Sequence, residues 1–195
     1  IIDAGIVAGR DEEWRPRPVL ANSPEAIIET AGSKYLYAVN LLELLRAVIN
    51  DPTYRSIGVV GVPCMARSIW KMNWLGLRRF TEKIRLIVGL FCTHNFTYTR
   101  LNEIIRSLGA EPGEVTWMGI KKGNMMFKLR SGEIKSIPVK VTETPEYLNP
   151  ACLQCPEFLA EKSDISVGSI GSEEGWNSII VHTDRGLEIL RKAEE

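Results

Sequence analysis

The sequence predicts a mixed α/β fold with a central, partly parallel sheet, flanking helices and an antiparallel hairpin portion. Three observations support this: two apolar strand patterns each lead through a turn into an amphipathic helix, glycines stand where helices should stop, and three later strand patterns are separated by short turns. Strand–helix–strand–helix order implies parallel neighbours joined by right-handed crossovers. The length of 195 residues fits one domain, residues 1–195.

The first third of the chain alternates extended and helical patterns. Residues 1–10 form a strand pattern, and residues 12–21 are extended and punctuated by prolines. Ser23 is expected to cap a helix that starts with Pro24, and Gly32 stands where a left-handed C-terminal cap belongs. Asn40 is expected to cap a second helix, whose leucines spread around much of its circumference and predict extensive burial.

Two of the predicted strands are each followed by a cysteine. Residues 56–64 predict a strand and a turn, after which Cys64 enters a predicted helix over residues 65–80. Residues 83–92 predict a strand that brings Cys92 to a turn. An amphipathic helix follows and stops at Gly109. Because ligands bind at the C-terminal edge of parallel strands, Cys64 and Cys92 are expected on the same rim of one crevice.

The last third contains the remaining strands. Residues 114–120, 124–130 and 133–140 read as strands, the last two joined through Ser131 and Gly132, so the sheet is expected to gain an antiparallel portion. Later strand patterns precede a final helix capped by Thr183 or Asp184, and His182, within a strand pattern, is expected to be structural.

The composition excludes several classes of protein. With 24 basic and 24 acidic residues and a pI near 6.9, nothing predicts nucleic-acid binding or attraction to an anionic membrane. The sequence contains no transmembrane run and no signal peptide, which predicts a cytoplasmic protein. A strand pattern at Ile1, without a methionine, suggests a piece of a longer chain.

The segment 152–176 holds the most informative pattern. The CxxC pair Cys152 and Cys155 can ligate zinc or an iron–sulfur cluster or form a redox disulfide. The loop 168–175 contains three glycines, whose backbone can approach an anion, although glycines and serines alone favour an ordinary surface turn.

Three further groups have a functional and a structural interpretation. Ser33 and Lys34 could hold a phosphate or decorate a helix end, and Lys121 with Lys122 could meet a pyrophosphate or form a charged turn. A Cys92–His94 nucleophile is disfavoured, because residues so close in an extended turn usually diverge.

Taken together, these segments resemble the beta subunits of the hydrogenases that reduce coenzyme F-420 and of related formate dehydrogenases. Coenzyme F-420 (F420) is a deazaflavin. The resemblance rests on AGSKY, GVPC, GLFCTHNF, CLQCPEFLAEKSDISVGSIGSEEGW and HTDRG, in this order. It implies an iron–sulfur flavoprotein with FAD and one 4Fe-4S cluster, which exchanges hydride with F420. It also implies a hydrogenase or formate dehydrogenase catalytic subunit as partner, in a hetero-oligomer.

The resemblance assigns roles residue by residue. It implies four cluster ligands, namely Cys64, Cys92, Cys152 and Cys155. It implies phosphate-side flavin contacts at Gly32, Ser33, Lys34 and Tyr35. It implies contacts to the flavin and the deazaflavin at Asn95, Lys121, Gly168, Ser169, Gly171, Ser172, Gly175 and Trp176. Met65 and Val62 depart from the family pattern, which frequently has glutamine and threonine there. The alternative is a scaffold domain stabilised by zinc on four cysteines, without redox activity.

Overall fold

A computed structural model describes residues 2–36 and 41–194, which form two β-sheets and flanking helices. The strands are β1 (Ala4–Arg10), β2 (Pro16–Ala21), β3 (Ile57–Gly61), β4 (Ile84–Leu90), β5 (Val115–Lys121), β6 (Asn124–Leu129), β7 (Ile134–Pro138), β8 (Ile165–Gly168) and β9 (Ser178–Val181). The helices are α1 (Pro24–Glu29), α2 (Leu41–Asn50), α3 (Pro63–Trp74), α4 (Tyr98–Ser107), α5 (Val139–Thr142) and α6 (Asp184–Glu194).

The larger sheet has the strand order β2-β1-β3-β4-β8-β9. Strands β1, β3, β4 and β8 are parallel to one another, and the edge strands β2 and β9 are antiparallel to their neighbours. The parallel strands are short, apolar and largely buried, as expected when helices cover a sheet. The predicted fold class is therefore confirmed.

The antiparallel portion forms a separate sheet of three strands, β5-β6-β7. The sequence predicted the hairpin of β6 and β7, but not that these strands would leave the central sheet. Lys122 and Gly123 join β5 to β6 with φ of 50° and 73°, the paired positive angles of a tight hairpin turn. The inward side chains Met118, Met125 and Phe127 are buried in one cluster with residues of α4, so this sheet covers a core of its own.

Two hydrophobic cores result. In one, Ile6 and Val59 of the central sheet belong to the same cluster as Leu45 of α2 and Ile69 of α3. The other lies between α4 and the three-stranded sheet, and it includes Phe96 from the loop after β4. That loop therefore joins the central sheet to the second core.

The helix boundaries confirm most of the predicted caps. The Ser23 hydroxyl accepts a hydrogen bond from Ala26 N–H, and Pro24 opens α1. Gly32 has φ of 95°, two residues beyond the cap at Thr30. Thr183, rather than Asp184, caps α6, since its hydroxyl accepts from Gly186 N–H.

Two helix predictions need correction. Over residues 43–50 of helix α2, whose side chains the structure describes, Leu45 and Val48 are buried whereas Arg46 is exposed, so the extensive burial that the sequence predicted is confined to one face of that stretch. Its predicted cap, Asn40, lies outside the described residues. Helix α3 ends at Trp74 rather than continuing to residue 80, since Gly76 turns the chain with φ of 74°.

Within the described ranges, no helix has the length and apolar character that crossing a membrane requires.

Candidate functional site

Cys64 and Cys92 lie at the same edge of the central sheet. Strand β3 ends at Gly61, and Cys64 is the second residue of α3; strand β4 ends at Leu90, two residues before Cys92. Because β3 and β4 are parallel neighbours, their C-terminal ends meet at one edge. The predicted common rim is therefore present.

The CxxC segment is held against the Cys92 loop on both sides. Ahead of the motif, Asn149 N–H donates to the carbonyl of Asn95 at 2.8 Å. Beyond the motif, Cys92 N–H donates to the carbonyl of Phe158 at 3.1 Å. Cys152 itself lies in a 3-10 turn, Pro150–Gln154. Backbone bonds thus bring the second pair of cysteines to the rim that carries the first.

Asn149 shapes the turn that presents the two CxxC thiols. Its side-chain oxygen accepts from Ala151 N–H at 3.0 Å, and its carbonyl accepts from Cys152 N–H at 2.8 Å. Cys155 N–H then donates to the Cys152 carbonyl at 3.2 Å. Sequence reasoning missed this residue, although an asparagine followed by proline is a common helix-start signal that could have found it.

The four thiols influence one another electrostatically. Burial raises the pKa of Cys92 to about 12, and the neighbouring thiolates of Cys64, Cys152 and Cys155 act in the same direction. Burial and the charges of Cys155 and Cys152 also raise the pKa of Cys64. A positive counter-charge, such as a bound metal centre, would lower the pKa of Cys64 and Cys92 and favour their thiolate forms.

The chemistry of this donor set fits an iron–sulfur cluster. A single zinc ion, with Zn–S bonds of about 2.3 Å, would hold four sulfurs about 3.8 Å apart. In the part of the chain that the structure describes, no group of three or more His, Cys, Asp or Glu side chains has the arrangement of a metal site. A four-iron cluster also takes four thiolate ligands, so the donor set by itself fits either centre.

Asn95 lies beside the Cys92 thiol. Its side chain is 7% exposed, and its Nδ2 donates to Cys92 Sγ at 3.7 Å. This hydrogen bond lowers the pKa of Cys92, against the dominant effect of burial. The resemblance implied a flavin or deazaflavin contact for Asn95, whereas in the structure its amide contacts a thiol.

His94 does not activate the Cys92 sulfur. Its ring lies 3.7 Å from a Glu143 carboxylate oxygen and packs edge-on against Phe96. The Cys92 thiol donates instead to the backbone carbonyl of His94 at 3.8 Å. The two side chains diverge, as the sequence argument expected for residues so close in a turn.

The turn from Gly32 to Tyr35 is anchored to the Cys92 loop. Phe96 N–H donates to the Tyr35 carbonyl at 2.9 Å, and Leu36 forms an isolated parallel bridge with Phe96. Tyr35 has φ of 53°, and its hydroxyl accepts from Ile120 N–H at 3.0 Å. Tyr35 therefore links the candidate flavin turn to both the cysteine rim and β5.

Lys34 turns back onto the end of α1. Its ammonium donates to the carbonyls of Thr30 and Gly32, the latter at 2.8 Å. Burial, with a smaller effect of the Arg10 charge, lowers the pKa of Lys34 to about 8. Ser33, beside it, is exposed. The structure thus shows the helix-end contacts that the structural interpretation of Lys34 expected, next to an exposed turn.

Lys121 and the glycine loop meet directly. Lys121 Nζ lies 2.6 Å from the Glu174 carboxylate, so an ion pair joins the end of β5 to the segment between Gly168 and Trp176. A shallow cleft of about 300 Å³ adjoins Lys121 and is lined also by Lys122, Asn124, Met126 and Ser136. No signal in the sequence identified Glu174 as the partner of Lys121.

The glycines of the loop 168–176 have different structural roles. A Cβ on Gly168 would lie 2.3 Å from the ring of Phe91, the residue before Cys92. Gly171 and Gly175 have φ of 85° and 91°, angles that favour glycine. Close packing and turn geometry therefore account for these three positions, as the interpretation of the loop as a surface turn expected.

The polar and aromatic side chains of this loop differ in exposure, since Ser169 is exposed and Ser172 is partly buried. Ser172 N–H donates to the Ser169 carbonyl at 3.1 Å, and the hydroxyls of Ser172 and Ser178 lie 2.8 Å apart. Trp176 is 70% exposed, so it is not a core tryptophan. His182, predicted to be structural, has its Nε2 2.8 Å from the hydroxyl of the buried Ser166.

Comparison with protein families covers nearly the whole chain. Residues 54–195 match the C-terminal family of the coenzyme F420 hydrogenase/dehydrogenase beta subunits. Residues 1–46 match the N-terminal family of the same beta subunits.

Individual relatives agree with this match. The coenzyme F420 hydrogenase subunit beta of Methanothermobacter thermautotrophicus is 36% identical over 100% of this chain and 69% of its own length. A coenzyme F420-dependent sulfite reductase of Methanocaldococcus jannaschii is 32% identical over 99% of this chain and 32% of its own length. The chain thus spans about two thirds of the first relative and one third of the second.

A solved structure shares the fold. A chain in the F420-reducing NiFe hydrogenase complex from Methanosarcina barkeri superposes with a TM-score of 0.89 at 32% identity. The match covers 99% of this chain and 67% of that chain.

Proposed function

Since this chain belongs to the family of coenzyme F420 hydrogenase/dehydrogenase beta subunits, we propose that it exchanges hydride between F420 and bound FAD. Electrons then pass singly to or from a 4Fe-4S cluster and a partner protein. The observation that supports this most directly is the gathering of the four cysteines at one edge of the parallel sheet, where backbone hydrogen bonds join the CxxC segment to the Cys92 loop.

The cluster would be held by Cys64, Cys92, Cys152 and Cys155. The start of α3, the Cys92 loop and the CxxC segment supply these thiols, and the bonds through Asn95, Asn149 and Phe158 fix the last two against each other. Because backbone hydrogen bonds already fix the positions of these segments, the structure of the site should change little when a bound cluster gains or loses an electron. The hydrogen bond from Asn95 to Cys92 Sγ stabilises negative charge on that sulfur and so raises the reduction potential of what it ligates.

The flavin would bind beside this rim, along the turn from Gly32 to Tyr35. Gly32 and Ser33 present exposed backbone and a hydroxyl, and Lys34 provides a cation for a phosphate. The backbone bond from Phe96 N–H to the Tyr35 carbonyl ties this turn to the Cys92 loop, so a flavin here would lie near the thiols. Lys121 and the loop 168–176 are the proposed contacts towards F420.

The division of labour between protein and cofactors follows from the chemistry. Bound FAD would take up two electrons as hydride and release them one at a time. A deazaflavin exchanges hydride and a cluster exchanges single electrons, so the two cannot react with each other without the flavin. The protein therefore needs no acid–base pair for hydride transfer. Its side chains hold the rings face to face and keep the thiol rim close to them.

The partner and the compartment are part of the same proposal. A one-electron centre at the sheet edge needs a donor or acceptor outside the chain, so we expect the catalytic protein of a hydrogenase or formate dehydrogenase as partner in a hetero-oligomer. Four cysteines without a disulfide in the described part of the chain fit a reducing, cytoplasmic location.

Anaerobic purification of the full-length protein tests this proposal. We expect flavin absorption, a broad iron–sulfur band, about four irons per chain, and reduction of the flavin when reduced F420 is added. A colourless protein with one zinc per chain would instead identify a zinc-stabilised scaffold. A flavoprotein that F420 does not reduce would retain the cofactors but refute the substrate.

A further inference from the structure

An exposed apolar surface lies at the C-terminal end of α3, the helix that carries Cys64 near its start. We call it the α3 patch; it comprises Trp70, Trp74, Leu75 and Leu77. Trp74 is 71% exposed and Trp70 44% exposed, and their rings stack with centroids 6.5 Å apart and an interplanar angle of 11°. Large exposed aromatic groups mark interaction sites more often than scattered single residues do.

The surroundings of the α3 patch are basic. Residues 63–81 contain Arg67, Lys71, Arg78 and Arg79 but no aspartate or glutamate, although the whole chain has equal numbers of both charges. Arg67 pairs with Glu157 at 3.0 Å. Among described residues, Arg78 and Arg79 form no ion pair within 4.0 Å. The surface is thus an apolar centre with several basic side chains beside it.

The α3 patch is rigid. Lys162 Nζ lies 5.0 Å from the centre of the Trp70 ring, on a segment distant in sequence. Parallel stacking on Trp74 and this cation–π contact hold the two rings in one arrangement. Rigid aromatic anchors lose little conformational entropy on binding, which is why tryptophan and arginine dominate the energetics of protein interfaces.

The same helix carries a candidate cluster ligand. Cys64, which is exposed, lies six residues before Trp70, a separation of roughly 9 Å along a helix axis. A protein that docks on the α3 patch therefore comes close to the thiol rim.

The positive charge beside the α3 patch distinguishes between the proteins that could bind there. Two copies of this chain meeting through the same patch would oppose cation to cation, which is unfavourable. A protein with an acidic rim around an apolar centre is complementary in both respects.

We propose that the α3 patch is the docking surface for an acidic protein that carries its own one-electron centre. This inference rests on the proposed function, since it gives the location at which the electron partner binds. The partner binds through Trp70 and Trp74 at its centre, and Arg78 and Arg79 steer its approach.

The test uses the full-length, affinity-tagged chain, isolated anaerobically from its native host with its bound proteins. Three versions are compared: wild type, Trp70→Ala with Trp74→Ala, and Arg78→Glu with Arg79→Glu. The matched control, Arg46→Glu with Arg191→Glu, makes the same charge change at exposed positions on α2 and α6. Bound polypeptides are identified by mass spectrometry and quantified, and each variant is checked by circular dichroism.

We expect the amount of a bound iron–sulfur protein to fall at least about ten-fold in both patch variants and to stay at the wild-type level in the control. Raising the salt concentration should weaken binding of the wild type more than that of Arg78→Glu/Arg79→Glu. Retention of the partner within two-fold in both folded patch variants would overturn the proposal. The proposal would also be overturned if both patch variants no longer floated with phosphatidylglycerol vesicles while their bound protein was unchanged. That outcome would identify the α3 patch as a membrane-binding surface.

A second readout separates this inference from the proposed function. Reduction of ferricyanide, a one-electron acceptor of much higher potential, by reduced F420 needs the chain and its cofactors but no partner, so the patch variants should retain the wild-type rate. If the wild type lacks this activity, the proposed function fails, whereas the loss of bound protein still reports on docking.

Discussion

The amide nitrogen of Asn95 lies 3.7 Å from the sulfur of Cys92, three residues earlier in the same loop. The carbonyl of Asn95 also accepts from the N–H of Asn149, which immediately precedes the CxxC turn. One residue thus donates to a thiol of the first cysteine pair and orients the segment that presents the second. The candidate site is consequently one unit, although its cysteines span 91 residues of sequence from Cys64 to Cys155.

Replacing Asn95 by leucine should lower the reduction potential of the cluster, on the order of tens of millivolts. The physical reason is that the lost hydrogen bond stabilised negative charge on Cys92 Sγ, and the reduced state carries more of that charge. Redox titration followed by electron paramagnetic resonance measures the shift. Asn102→Leu, at another buried asparagine, is the control and should leave the potential unchanged. An unchanged potential in Asn95→Leu would assign Asn95 a purely structural role.

Each cysteine-to-serine variant at positions 64, 92, 152 and 155 should lose most of its iron, from about four atoms per chain to less than about two. Leu153→Ser is the matched control, because Leu153 is half exposed within the CxxC segment and should not affect metal content. Iron analysis of protein purified without oxygen checks this. Full iron content in any one cysteine variant would remove that residue from the ligand set.

Opposite changes are expected when the two partners of the Lys121–Glu174 ion pair are altered separately. The pair is half exposed, so breaking it should cost no more than about 1 kcal/mol of folding free energy. If Lys121 binds an anionic group of F420, Lys121→Gln should raise the KM for F420 several-fold, and Glu174→Gln, which frees the lysine, should lower it.

The matched control for this experiment is the exposed pair Lys192–Glu188 on α6, where Lys192→Gln should change nothing. Steady-state reduction of F420 provides the KM values. A KM that rises equally in Lys121→Gln and Glu174→Gln would mean that the ion pair only tethers the loop.

Alanine substitutions should separate the roles of two glycines. Gly168→Ala would place its Cβ 2.3 Å from the Phe91 ring and should destabilise the fold by about 1–3 kcal/mol, displacing the chain next to Cys92. Gly171→Ala has open space but a φ of 85°, which costs about 1–2 kcal/mol. Urea unfolding measures both. Only Gly168→Ala should also reduce the iron content, and equal iron loss in Gly171→Ala would contradict this distinction.

Flavin affinity should fall as the pH rises through 8, because the pKa of Lys34 is lowered to about 8 and the neutral amine no longer attracts a phosphate. The effect on folding has the opposite sign. Between about pH 8 and 10.5 the unfolded chain binds more protons at Lys34 than the folded one, so this residue's contribution to stability rises with pH.

Titration of the apo protein with FAD at pH 7 and pH 9 measures the change, which should be several-fold. Lys34→Arg should abolish the pH dependence, since arginine stays charged, and Lys34→Met should bind weakly at both values. The same pH dependence in Lys34→Met would show that another group is responsible.

The local elements of this fold were largely predictable, because each depends on neighbouring residues. Apolar runs produced β3 and β4, Ser23 with Pro24 began α1, and Thr183 was one of two predicted caps for α6. The rim shared by Cys64 and Cys92 was also predictable, since two parallel strands with crossover helices have only one C-terminal edge.

Only the tertiary structure decided the contacts between distant segments. It separated β5-β6-β7 from the central sheet, paired Lys121 with Glu174, and attached Tyr35 to both Phe96 and Ile120. It also directed Asn95 towards a thiol and Lys34 towards helix carbonyls. Hydrophobic periodicity and helix caps reflect interactions between residues a few positions apart in the sequence. These long-range contacts depend instead on how the two cores pack together, which no local pattern encodes.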